Sequence, residues 1–135
     1  MCKQTTVLYV DDNSNSRRLL TAILETKGFA VIGEEDPVEA LEQAKKVEFD
    51  LALVDYQMPR MKGTELAREL KRMDSGVPVV LISGLAGLPS EELAFVNVHL
   101  GRGTRLDCLL DTIRKLAQSR MPVLDMASMQ WGDAT

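Results

Sequence analysis

Leu51-Ala52-Leu53-Val54-Asp55-Tyr56-Gln57-Met58-Pro59-Arg60-Met61-Lys62-Gly63-Thr64-Glu65-Leu66 is the stretch that decides the fold. Its first four residues are apolar without alternation, as in a strand covered on both faces. A carboxylate, Asp55, closes the run, Pro59 and Gly63 punctuate the chain, and Leu66, Leu70 and Met73 then repeat at helical spacing. Strand, loop and helix in that order make the repeating unit of a parallel sheet.

The same unit recurs on either side. Further apolar runs stand at Thr6 to Val10, Phe29 to Ile32, Val79 to Ile82 and Phe95 to Leu100. Helical periodicity follows the first two, in Leu19, Leu20, Ile23 and Leu24 and then in Val38, Leu41 and Ala44. The last helix is clearest: Leu106, Leu109, Leu110, Ile113 and Leu116 form one apolar stripe, with Asp111, Arg114 and Lys115 facing water. Asp36-Pro37 is a good N-cap followed by proline at the first helical position, and Gly28 suits the helix end before it. Gly84, Gly87 and Pro89 confine a fourth helix to roughly Ser90 to Phe95, so it should be short or irregular. Five βα units predict a flavodoxin-like (βα)5 three-layer sandwich, with a five-stranded parallel sheet of order 2-1-3-4-5.

Composition bounds the chemistry. The chain of 135 residues is the size of one domain, and 45% apolar with 27% charged residues suits a globular core. Sixteen basic against 20 acidic residues, a net charge of −4, argue against a nucleic-acid surface held by a basic patch. Cys2 and Cys108 have no metal-binding spacing and suit a reduced cytoplasmic protein. A single histidine, His99, excludes a multi-histidine zinc site and leaves one possible base for a Ser/His or Cys/His pair. No apolar run is long enough to cross a membrane.

In such a sheet ligands bind at the carboxyl ends of the strands, beside the first and third. Asp11 and Asp12 stand there after the first strand, Asp55 after the third, Ser83 after the fourth, and Arg102 in a glycine-flanked loop after the fifth. Like charges about 6 Å apart repel by roughly 2 to 3 kcal/mol at an effective dielectric of ~20, and a cation relieves this. An all-oxygen donor set favours Mg²⁺, with Mn²⁺ as substitute. A carboxylate beside Mg²⁺, a hydroxyl and a base can also attack a phosphoryl donor and become an aspartyl phosphate. An aspartate at a strand end, taken alone, is more often a turn former or helix cap than a ligand.

These residues resemble the receiver domain of two-component response regulators over about residues 5 to 118. Val7-Leu8-Tyr9-Val10-Asp11-Asp12-Asn13 is similar to the family's first motif, and the stretch from Leu51 to Leu66 to its phosphoacceptor strand and loop. Pro78-Val79-Val80-Leu81-Ile82-Ser83 resembles the fourth strand ending in a switch hydroxyl. The resemblance implies that Asp55 is phosphorylated by a sensor histidine kinase or phosphotransfer protein, and that Asp11, Asp12, Asp55 and the Gln57 backbone carbonyl hold Mg²⁺. It also implies that Ser83 and the residue at the aromatic switch position, here His99, report the change. His99 reads otherwise as a strand histidine half covered by its neighbours. The family's lysine after the fifth strand is replaced by Arg102, whose planar fork keeps the charge but not the compact ammonium.

Several expectations follow. The domain spans 1–118, with 119–135 a partly disordered tail containing Met121, Met126, Met129 and Trp131. It catalyses at most its own phosphorylation and dephosphorylation, signals by protein contact as a monomer or weak dimer, and binds neither nucleic acid nor membrane. The alternative is a pseudo-receiver, a protein-interaction module independent of phosphorylation. An aspartyl-phosphate phosphatase is disfavoured because Tyr56-Gln57 follows Asp55 where an Asp-x-Asp motif is needed. A flavodoxin is disfavoured because Asp11 and Asp12 would repel the flavin phosphate.

Overall fold

The computed structural model describes residues 4–85 and 87–120. In chain order the elements are β1 (Thr6–Val10), α1 (Ser14–Thr26), β2 (Ala30–Glu34), α2 (Pro37–Lys46), β3 (Leu51–Asp55), α3 (Gly63–Met73), β4 (Val79–Ser83), β5 (Val98–Gly101) and α4 (Leu106–Arg120). The strands form one sheet of order β2-β1-β3-β4-β5, every pair parallel. Flavodoxin-like architecture is therefore what the chain adopts.

Strand alternation divides the core into two layers. Leu8, Val10, Ala52, Val54, Val79 and Leu81 pack with Ala40 of α2 and with Leu66 and Leu70 of α3. On the other face Val7, Tyr9, Leu51, Leu53 and Val80 pack with Leu24 of α1 and with Leu109, Leu110 and Ile113 of α4. Burial of Leu51 to Val54 is complete, which is why that run lacks alternation. The helix boundaries follow their sequence signals: the Asp36 carboxylate accepts from Val38 N at 2.9 Å, and Gly28 follows α1 with φ +96°.

Among the described residues between β4 and β5 there is no helix. Glu92 N donates to Pro89 O at 3.0 Å, Leu93 N to Ser90 O at 3.1 Å and Val96 N to Leu93 O at 3.0 Å, so Ser90 to Phe95 are successive turns. β5 is later and shorter than the apolar run suggested. Phe95 lies in the turns, and Asn97 clasps the strand entrance by accepting from Val79 N at 2.9 Å and Lys71 Nζ at 2.7 Å through its side-chain oxygen.

The apolar stripes are also narrower than their periodicity. Leu19, Val38, Met73 and Leu106 are exposed, because each lies at the margin of a helix whose inner face is filled by neighbours. At the carboxyl end α4 runs to Arg120, past the boundary expected at 118; the Met/Trp segment from 121 onward lies outside the described residues, as does Cys2. Among the described residues, no helix is long and apolar enough to cross a membrane.

Candidate functional site

Parallel strands bring their carboxyl ends to one edge, and the expected residues arrive there by different routes. Asp55 is the last residue of β3 and Ser83 the last of β4; Asp11 and Asp12 follow β1, and Arg102 follows β5. Asp11, Asp12 and Asp55 each present an oxygen within 4.8 Å of the others. Asp11 and Asp55 are buried and Asp12 is exposed.

Asp11 is the most firmly held. Asn13 N donates to its Oδ1 at 2.9 Å, and the Tyr9 hydroxyl donates to its Oδ2 at 2.8 Å. Its backbone is fixed too, since Arg17 Nη1 donates to Asp11 O at 2.7 Å and Asp11 N to Glu34 O at 3.0 Å. The Tyr9 phenol is itself pushed up by burial, then by the hydrogen bond to Asp11 and the acidic neighbours, so it remains a donor.

The backbone around Asp55 leaves little room. Gly63 opens α3 directly against it: a Cβ there would lie 2.3 Å from Asp55 O and 2.8 Å from Leu81 Cδ1. Gly63 N donates to Tyr56 O at 2.8 Å and closes the loop between. Arg60, at φ +73°, turns that loop and pairs with Asp36. Lys62 N donates to the Glu65 carboxylate at 2.8 Å, half of a capping box. The Tyr56 hydroxyl donates to Glu92 Oε1 at 2.8 Å and ties the loop after Asp55 to the turns before β5.

Asp55 is only 4% exposed, and its carboxyl is pushed up to about 6. Desolvation is the largest cause; the Arg102 guanidinium opposes it, while Asp11 and Asp12 add to it. Arg102 ion-pairs with Asp55 Oδ1. Its backbone N donates to Ser83 O at 3.1 Å, and a Cβ at Gly84 would lie 3.7 Å from its Cδ, so the side chain crosses over Gly84 on its way to Asp55.

Two expected switch residues are placed less centrally. Ser83 is buried, and its Oγ accepts from Leu85 N at 2.9 Å, turned to its own loop. His99 lies in β5 opposite Leu81, outside the acidic cluster, with Nε2 buried and without a hydrogen-bond partner among the described residues. Gln57 is exposed and lines a shallow bay with Asp12, Tyr56 and Leu85. Sequence reading gave no role to the hydroxyls of Tyr9 and Tyr56. A usable signal existed for Tyr9: two residues before Asp11 it shares that residue's strand face, and a buried phenol needs a partner.

The donor set fits a hard divalent cation. Three carboxylates converge, one of them held above its ordinary range by burial and by the other two, and among the described residues no thiol or imidazole joins the group. A doubly wound sheet with such a trio at its switch point defines a class of α/β domain whose ligand-binding edge is acidic. Within that class the chain belongs to the response regulator receiver domain family, which it matches over residues 7–97.

Relatives agree. The DNA-binding response regulator MtrA of Mycobacterium tuberculosis is 40% identical over 79 residues, covering 57% of this chain and 33% of that protein. The uncharacterized transcriptional regulatory protein YkoG of Bacillus subtilis is 31% identical over 111 residues, 80% of this chain and 49% of that protein. This chain thus spans a third to a half of the length of these curated relatives. A CheY-like receiver domain from Methanospirillum hungatei superposes with TM-score 0.81 at 25% identity, covering 88% of this chain and 98% of that one. TrrA of Thermotoga maritima, solved in complex with Mg²⁺-BeF, gives TM-score 0.79 at 25% identity, covering 84% and 99%.

Proposed function

We propose that this receiver domain accepts a phosphoryl group on Asp55 from a phosphohistidine of a sensor histidine kinase or phosphotransfer protein, and passes the signal on by protein contact. The observation that carries this is a buried Asp55 carboxylate set between Asp11 and Asp12 on one side and the Arg102 guanidinium on the other. Asp11, Asp12, Asp55 and the Gln57 carbonyl would hold Mg²⁺, or Mn²⁺ in its place. When bound, the ion supplies charge neutralisation for the transferred phosphoryl group.

The chain's own residues supply position and charge. An Asp55 oxygen forms the bond to phosphorus as the phosphorus–nitrogen bond of the donor breaks, its electron pair leaving with the imidazole. Arg102 exchanges its contact with Asp55 for one with a phosphoryl oxygen. Ser83, whose hydroxyl now serves Leu85, is paired across the sheet with Gly101, next to Arg102, and would turn to the phosphoryl group; His99, on the neighbouring strand, would respond to the rearranged loop. Incubation with Mg²⁺ and acetyl phosphate, read by intact mass, should add one phosphate to the wild type and none to Asp55→Asn. No adduct from either acetyl phosphate or a cognate kinase overturns the reading.

One observation favours a second reading, a pseudo-receiver whose contacts do not depend on phosphate: Arg102 already neutralises Asp55. That reading predicts unchanged partner affinity in Asp55→Asn, where the first predicts loss of the phosphate-dependent increment.

A further inference from the structure

Asp11 has both carboxylate oxygens engaged by the protein, one by a backbone N–H and the other by the Tyr9 hydroxyl at 2.8 Å. Tyr9 is 2% exposed, so its hydroxyl has no bulk water to turn to. The other acceptor beside it, Ser16 O, is farther away at 3.4 Å, and its single proton therefore belongs to Asp11. The ring is wedged among Val7, Leu24, Leu53 and Leu109, which fixes the direction from which that proton is delivered. Asp12 is exposed by contrast and owes no such restraint to the core.

We propose that Tyr9 is a positioning residue for the cation site: its buried hydroxyl locks the rotation of the Asp11 carboxylate and so raises the affinity of the acidic cluster for Mg²⁺. A ligand oxygen held in place needs no ordering when the ion arrives, and groups that hydrogen-bond metal-ligating carboxylates typically change metal affinity by about 10- to 100-fold. Loss of the hydroxyl would leave one oxygen of a 3%-exposed carboxylate without its donor and free to turn. The inference rests on reading Asp11, Asp12 and Asp55 as a Mg²⁺ site.

The test is a titration of the full chain with Mg²⁺ alone, followed by amide NMR, for wild type, Tyr9→Phe and Tyr56→Phe. Tyr9→Phe should bind about tenfold more weakly. Tyr56→Phe, which loses a tyrosine hydroxyl directed at Glu92 instead, should bind within about twofold of wild type. A purely structural role for Tyr9 would lower the melting temperature and leave the affinity alone.

The chain has two tyrosines, so the Tyr56→Phe protein labelled with ¹³C at the tyrosine ζ carbon gives one signal, that of Tyr9. This signal should move with Mg²⁺, and it reads the contact without any change at Tyr9, whatever the folding of Tyr9→Phe. Equal affinity in wild type and Tyr9→Phe, or a Tyr9 signal that stays fixed while the amides saturate, overturns the inference alone. No saturable response in the wild type overturns the cation-site reading and the Tyr9 inference with it.

Discussion

β3 carries Asp55 from the centre of the sheet, where every residue of the strand is buried, whereas β5 carries Arg102 from the edge, where no residue of the strand is fully buried. The two side chains meet in one ion pair, yet their supports differ throughout. Behind Asp55 stand two neighbouring strands, the backbone of α3 at Gly63, and a loop closed by Tyr56 and Gly63. Behind Arg102 stand one neighbouring strand and turns that replace a helix; its side chain is 45% exposed. Asp55 is over-determined, while its counter-ion sits where rearrangement meets little resistance. A switch benefits from that division, because a group that must move is cheapest to move where few contacts are shared.

The sharpest way to break the comparison is Gly63→Ala. A Cβ placed 2.3 Å from the Asp55 carbonyl oxygen has a central strand, not a flexible side chain, in its way. We expect a loss of more than ~3 kcal/mol, read by urea denaturation. Stability close to wild type would show that the β3 side is as yielding as the β5 side.

Asp55→Asn should act in the opposite direction, with a smaller magnitude. Folding pushes the Asp55 carboxyl up from an ordinary 3.8 to about 6, so the folded chain holds this proton to higher pH than the unfolded one. The favourable contribution is complete below about pH 4 and is lost as pH rises through about 6, an interval worth roughly 2 to 3 kcal/mol. In chelator at pH 7.5, Asp55→Asn should therefore be more stable than wild type by up to that amount. The gap should close as pH falls toward 4 and narrow at neutral pH with millimolar Mg²⁺. A constant gap across pH would contradict the burial of an ionised Asp55.

The smallest effect is expected on the edge. His99 Nε2 is buried without a partner among the described residues, so His99→Leu removes an unsatisfied nitrogen; stability should stay level or rise by up to ~1 kcal/mol in thermal melts. A loss of more than ~1 kcal/mol would mean that β5 is fitted as closely as β3, and the contrast would dissolve.

The fold was legible because its deciding signals are local. Continuous apolar runs mark strands buried on both faces, and Asp36-Pro37 and Gly28 mark helix ends by short-range chemistry. The strand-end carboxylates were legible for a related reason: once the strands are parallel, residues at their carboxyl ends share an edge. What was not legible depended on pairings distant in the chain or on the path of a loop. The Tyr56–Glu92 hydrogen bond joins residues 36 positions apart. Ser83 turns its hydroxyl to Leu85 because the chain after β4 bends back on itself, and β5 begins only after Asn97 because the side chain of Asn97 fastens to β4. Phe95 carried the apolar signal of a strand into a segment that is all turns.

The shortness of β5 has a consequence for behaviour at high concentration. An outer strand is a template on which other chains can assemble by backbone pairing, and the hazard grows with its length and flatness. This one has four residues, follows turns and ends on Gly101. Little continuous backbone is left for an incoming strand to zip along, so the loosely supported side of the domain is also poorly suited to seeding aggregates.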